Sequence, residues 1–272
     1  VDASPNNQAF VATRGSARWV GNVVLFGLVI LVNWQANALP IGGQTTGDVS
    51  AKYSSLFTPA GYTFSIWGLI YLSLAGFVIF QALPNQRQDG LLAGIDRAFV
   101  LNCCANIAWI YAWHHDQLVL SLVVMAVILR SLLKIYRTIS SARELRPVSW
   151  IVRLPFSLYT AWITLATIAN ISVVQTAMGW DEAFLNGFQW AYLKLAISGL
   201  IATLALIRGS DVVFALVISW AALGIASKQA GVEEVAGAAS LLAILIFLLA
   251  VWQAVRLRRQ REVGRTSCLP EA

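Results

Sequence analysis

Eight stretches of roughly 20 mostly apolar residues, separated by short polar segments, take up most of this 272-residue chain. A helix of that length crosses the ~30 Å hydrocarbon core of a bilayer. No water satisfies backbone N–H and C=O groups there, so such stretches have to be helical. Composition agrees: 58% of residues are hydrophobic and 12% charged, where soluble domains carry about a quarter charged. The mean hydropathy is +0.69. A water-soluble globule, a disordered chain and a disulfide scaffold are excluded, and an all-α, polytopic membrane helix bundle is predicted. The spans fall at about 19–39, 62–83, 92–113, 118–136, 151–178, 188–207, 212–227 and 235–255. The first ends in Asn37-Ala38-Leu39-Pro40 and not in a signal-peptidase site, so it reads as a retained span.

Basic residues are unevenly placed. With eight spans, sixteen of the 19 Lys and Arg share a side with the two termini, leaving Lys52, Lys194 and Lys228 on the other. The positive-inside rule then predicts a multi-pass inner (plasma) membrane protein with both termini cytoplasmic. The pI of 9.5 follows from residues facing anionic lipid headgroups, so membrane lipids are the expected partners and nucleic acid is not. Cys103 and Cys104 are adjacent within an apolar run, where a mutual disulfide would be strained. Cys268 lies in the tail, away from a prenylation position.

Eleven tryptophans punctuate the chain. Trp19, Trp150, Trp180, Trp190 and Trp252 fall at span ends and read as an interfacial belt. Others share helix faces with polar or aromatic residues. Phe64, Trp67 and Tyr71 are spaced i, i+3, i+7; Asn106, Trp109 and Trp113 repeat that spacing; Tyr159, Trp162 and Asn170 lie on one face of the fifth span. An Asn in a bilayer core costs free energy unless it is bonded or faces a cavity. Indole rings offer flat apolar walls with an N–H donor. Two readings stay open: helix-to-helix packing with each Asn bonding a neighbour, or an interior site for a flat, mostly apolar ligand.

The segment from Phe57-Thr58-Pro59 through Trp67-Gly68-Leu69-Ile70-Tyr71 resembles the first loop and second helix of the TspO/MBR family, the tryptophan-rich sensory or translocator proteins. Asn106-Ile107-Ala108-Trp109 with Trp113 is similar to that family's third helix, and Tyr159 through Trp162 to Asn170 to its fifth. The resemblance covers about residues 19–178. It implies a five-helix core, often dimeric, whose pocket takes tetrapyrroles and is closed by the first loop. Position by position, the implied ligand-binding residues are Trp67, Tyr71, Asn106, Trp109, Trp113, Tyr159, Trp162 and Asn170, with Phe57 and Pro59 in the lid. No cofactor is required; a tetrapyrrole is the implied ligand. The sequence also departs from the pattern: Phe57-Thr58-Pro59 stands for Trp-x-Pro-Pro, residues 118–129 hold no carboxylate, and no sterol motif follows Asn170.

The expected organisation is a cytoplasmic segment (1–18), the five-helix domain (19–178), a three-helix extension (179–256) and a basic tail (257–272). Loop 40–61 is long enough to be a lid. His114-His115-Asp116 reads as a solvated turn, with a metal site the minor alternative. Lys194, several residues inside the sixth span, reads as snorkelling to the headgroups. No metal site or catalytic constellation is visible, and the chain is expected not to be an enzyme. The principal roles are ligand binding for sensing, sequestration or transfer; transport of a small hydrophobic molecule; or a non-catalytic subunit of a larger membrane complex; ligand-degrading activity is a fourth option, suggested only by the Trp-rich pocket.

Overall fold

The computed structural model describes residues 16–39, 41–180, 182 and 184–266. Among these, every regular element is helical: α1 Ser16–Ala38, α2 Thr46–Lys52, α3 Ile66–Ala82, α4 Gly90–His114, α5 Leu118–Leu145, α6 Trp150–Ala177, α7 Gly187–Gly209, α8 Val212–Lys228 and α9 Glu233–Thr266. All eight predicted spans are present as helices. Seven are long and apolar enough to cross a membrane, and the eighth, α8, is apolar but has 17 residues, the lower limit for crossing.

Helix ends depart from the apolar runs in an instructive way. α5 continues nine residues past the predicted 136, through Arg137 and Arg143 to Leu145. Charged residues end a membrane crossing without ending a helix. What stops α5 is Pro147, which forces Arg146 to an extended backbone (φ −155°, ψ 159°). For the same reason α9 runs on to Thr266, so much of the predicted tail is helix. Residues 1–15 and 267–272, including Arg14 and Cys268, lie outside the described residues. Of the other two cysteines, Cys103 is buried, Cys104 exposed, and both are free thiols.

α4 is central: it packs on α1 and α5, α5 packs on α6, and α3 lies against α6 and α1. α8 lies against α6 and also pairs with α9, while α7 packs on both α8 and α9. The last three spans thus share their core with the first five. At the Arg-rich end the core is an edge-to-face cluster of Phe77, Phe99 and Phe156, with centroids 4.9–6.1 Å apart. Beside it the buried Asn22 amide donates to Gln81 (2.9 Å) and Asp96 (2.7 Å), tying α1 to α3 and α4. The outer face of the bundle is apolar, with Leu72, Ile79 and Leu248 among its exposed residues. That is the pattern of a surface solvated by lipid.

Candidate ligand-binding site

The long first loop, the predicted lid, is structured. Thr45 and Asp48 form a capping box, the Thr45 side chain accepting from the Asp48 N–H while Asp48 accepts from the Thr45 backbone, and this starts α2. On one side the lid is stitched to the α4–α5 turn. Trp113 Nε1 donates to the Thr46 carbonyl (3.1 Å), Gln44 donates to the His114 carbonyl (2.9 Å), and Lys52 pairs with Asp116 at 2.7 Å. The Lys52 ammonium holds the Asp116 carboxyl below its ordinary 3.8, and the pairing raises Lys52 in turn.

On the other side the lid is held by α8. The Ala60 N–H donates to the Gly224 carbonyl (2.9 Å), Trp220 Nε1 to the Thr63 carbonyl (3.2 Å) and Gln229 to the Ser55 carbonyl (3.1 Å). Tyr62 meets the Trp220 ring edge-on at 5.5 Å. Thr63 is fully buried against Gly224.

Beneath the lid lies an aromatic wall. Trp67 and Tyr71 stack at 5.2 Å, and so do Trp109 and Trp113. Trp67 also meets Tyr159 and Trp162 edge-on, at 5.6 and 6.4 Å. A cleft of about 790 Å³ opens between α1, α2, α3 and α4, lined by Trp67, Tyr71, Trp109, Phe64, Asn33 and Thr46 among others. Its size is within the ~300–1,000 Å³ usual for small-molecule sites. A second space of only about 40 Å³ lies on the far side of Trp67 and Trp109, against Trp113, Trp162, Asn170 and Pro59.

The eight predicted ligand-binding residues are therefore neighbours, but they divide among three places. Trp67, Tyr71 and Trp109 face the large cleft. Trp113, Trp162 and Asn170 pack around the small space. Asn106 and Tyr159 line neither: the Asn106 amide donates to the Tyr159 hydroxyl (2.9 Å), and its carbonyl accepts from Asn33 (2.9 Å). Asn170 accepts from Trp109 Nε1 (3.3 Å) and donates to Ser121 (3.1 Å). Asn106, Tyr159 and Asn170 thus bond helix to helix, while Trp67, Tyr71 and Trp109 line a cleft. Of the lid pair, Pro59 lines the small space, whereas buried Phe57 lines a third cavity.

Two polar atoms of this wall stand out. Trp162 Nε1 is buried and has no hydrogen-bond partner among the described residues, and the Tyr71 hydroxyl is buried beside the Asn106 side chain without full hydrogen-bond geometry. A native interior leaves few such groups.

Asn33, Asn37 and Thr46 line the cleft without having been singled out in the sequence. The i, i+4 pair of Asn in the first span, flanking Trp34, was the available signal. The two histidines part company. His115 is exposed, whereas His114 is 1% exposed, with Nδ1 2.8 Å from the Ile110 carbonyl and Nε2 3.4 Å from Thr46 Oγ1. The solvated-turn expectation fails for His114 because α4 extends through it and turns its ring under α2. Among the described residues no His, Cys, Asp or Glu cluster could hold a metal.

No curated protein and no solved structure matches the chain. A family model does, and its match runs past residue 178 into α9. Over residues 18–252 the chain matches the family described as TSPO-like protein, and it belongs to that family.

Proposed function

We propose that this membrane protein binds a flat, mostly apolar ligand of the tetrapyrrole type in the cleft beneath its first loop, for sensing, sequestration or transfer. The observation that carries the reading is the pairing of a cleft of about 790 Å³ with the aromatic wall of Trp67, Tyr71 and Trp109 that lines it. Stacked rings suit the faces of a planar ligand, and the Asn33, Asn37 and Thr46 side chains of the lining suit its polar edges. Family membership supports the same reading through the tetrapyrrole binding that the TspO/MBR resemblance implies. In this proposal Trp67, Tyr71 and Trp109 contact the ligand, Asn33 and the Asn106–Tyr159 pair hold the wall in place, and α2 covers it. The protein binds and does not catalyse, and the Arg-rich end of the bundle is cytoplasmic, in the inner membrane.

The test is a titration of detergent-purified protein with protoporphyrin IX and with haem, read by tryptophan quenching. Saturable binding at micromolar concentration or below, weakened at least tenfold in Trp67→Ala, is the expected result. No saturable quenching, or equal affinity in the folded variant, refutes the assignment.

A further inference from the structure

The segment that joins the first loop to α3 faces two ways. Residues Gly61–Ser65 form a 3-10 helix that runs straight into α3 at Ile66. With three residues per turn, Gly61 and Phe64 fall on one face, and Tyr62 and Thr63 on the other two. Gly61 and Phe64 line the large cleft, and Phe64 meets Trp162 edge-on at 5.9 Å. Tyr62 and Thr63 meet α8 instead. Trp220 Nε1 donates to the Thr63 carbonyl, the Tyr62 and Trp220 rings meet edge-on, and Gly224 packs on the Thr63 side chain.

Five residues is long for a 3-10 helix. Its hydrogen bonds are poorly aligned, so its setting depends on what packs against it. The Thr63 hydroxyl makes no hydrogen bond among the described residues, and the residue is tied to α8 through its carbonyl. That carbonyl also accepts from the Ile66 N–H, so Trp220 holds the joint at which the segment enters α3. Trp220 and Gly224 are i, i+4 on α8 and present one face to this joint. α8 also packs on α6, whose Tyr159 and Trp162 meet Trp67 edge-on. One helix thus touches both the segment that carries Phe64 and the helix that backs Trp67.

We infer, building on the cleft proposed above as the binding site, that Trp220 is a positioning residue for the ligand. By holding the Thr63 carbonyl it fixes the rotation of segment 61–65 about its own axis, and with it the placing of Gly61 and Phe64 at the cleft wall. It acts through Thr63 and touches no ligand itself. The part of the chain beyond residue 178 then belongs to the binding unit, although none of its described residues lines the cleft. Ser219, next to Trp220, supplies the contrast. Its buried hydroxyl donates to the Ala243 carbonyl (2.8 Å) and ties α8 to α9, not to the joint.

Two readouts on full-length protein in detergent keep this inference apart from the function it builds on. Protoporphyrin IX quenching gives the affinity. Fluorine NMR of the ligand-free protein labelled with fluorotryptophan reads Trp67 and Trp162, assigned from Trp67→Phe and Trp162→Phe. Trp220→Phe keeps a ring against Tyr62 and loses the donor. It should bind porphyrin about two- to tenfold more weakly, the span set by one hydrogen bond, and its Trp162 signal should shift or broaden. Ser219→Ala also loses one hydrogen bond of α8, yet should keep the wild-type affinity and the wild-type Trp162 signal. A Trp220 that only stabilised the bundle would make the two variants alike. If Trp220→Phe does not fold, Gly224→Ala, which pushes on Thr63 from the same face of α8, carries both measurements. If the wild type binds no porphyrin, the proposed function fails, and the ligand-free Trp162 signal alone decides whether Trp220 sets Phe64. The inference is overturned if that signal is unchanged in the folded variant, if a porphyrin-binding protein keeps full affinity without the donor, or if Ser219→Ala reproduces both effects.

Discussion

Gly224→Ala tests how far α8 controls the lid. A Cβ built at Gly224 would lie 2.9 Å from Thr63 Cγ2, 3.0 Å from Thr63 Cβ, and closer still to Thr63 Oγ1. Thr63 is β-branched, fully buried and held through its own carbonyl by Trp220, so it cannot swing aside cheaply. Overpacking of this kind costs about 1–3 kcal/mol. If the lid yields, the Ala60–Gly224 bond of 2.9 Å goes with it, at roughly 0.5–1.5 kcal/mol. The overpacking alone corresponds to a 5- to 150-fold larger population of open lid, taking about 1.4 kcal/mol per decade. Hydrogen exchange of the amides in residues 55–65, measured in detergent, reads that population directly. Exchange there should accelerate by this factor while the amides of α4 and α5 stay protected.

The control is Thr63→Ala in the same background. It removes Oγ1 and Cγ2 and leaves Cβ, the longest of the three contacts. The Thr63 hydroxyl has no hydrogen-bond partner among the described residues, so truncating it costs packing alone. Most of the lost protection should return. Unchanged exchange in Gly224→Ala, or a double variant no better than the single one, would refute the idea that α8 and the lid meet as a tight, rigid pair.

Three further outcomes are expected. Asn106→Leu leaves Tyr159 and Asn33 each short of a partner and should destabilise the bundle by about 1–3 kcal/mol, read by SDS-titration unfolding. Trp113→Phe removes the bond to the Thr46 carbonyl; a Trp113→Phe protein should show faster exchange in residues 46–52 by roughly 0.5–1.5 kcal/mol, with α6 unaffected. The Lys52–Asp116 pair is a pH-dependent tether. Because Asp116 is depressed in the folded state, its contribution is present above the ordinary carboxylate range and is lost as pH falls through the lowered value, below about 4. Exchange in residues 44–52 should therefore rise in acid for the wild type, and Asp116→Asn should be faster at neutral pH and flat across that range.

The membrane bundle was legible in the sequence because length and apolarity are imposed by the bilayer, residue by residue. The aromatic faces were legible because Trp67–Tyr71 and Trp109–Trp113 are i, i+4 pairs, and a helix puts such pairs in contact whatever surrounds it. What escaped is of two kinds. α2 was hidden because its seven residues, Thr46–Lys52, are polar; its mark was the cap Thr45 with Asp48, which needs no apolar period. The lid's partners on α8 left no local mark. Trp220 and Thr63 are 157 positions apart, and neither residue announces the other. Asn106 shows the limit of reading a face as a site: an inward polar side chain looks the same in sequence whether it meets a ligand or, as here, a tyrosine on the next helix.

The two sets of lid tethers respond differently to solution conditions. Toward the α4–α5 turn the buried Trp113–Thr46 bond is joined by the Lys52–Asp116 pair, whose side chains are 49% and 31% exposed. Such a pair is worth little and is screened by salt. Toward α8 the links are hydrogen bonds to backbone carbonyls beside a fully buried Thr63, with no ion pair between them among the described residues. Thr45, Thr46 and Gly47, which line the large cleft, belong to the half that carries the ion pair. Phe57 and Pro59, which line the third cavity and the small space, belong to the half bonded to α8. Salt and acid therefore weaken a contact on the side of the large cleft and spare the contacts to α8. The last three spans meet the loop that borders the proposed ligand cleft, through residues 55–63, while none of their described residues lines the cleft itself.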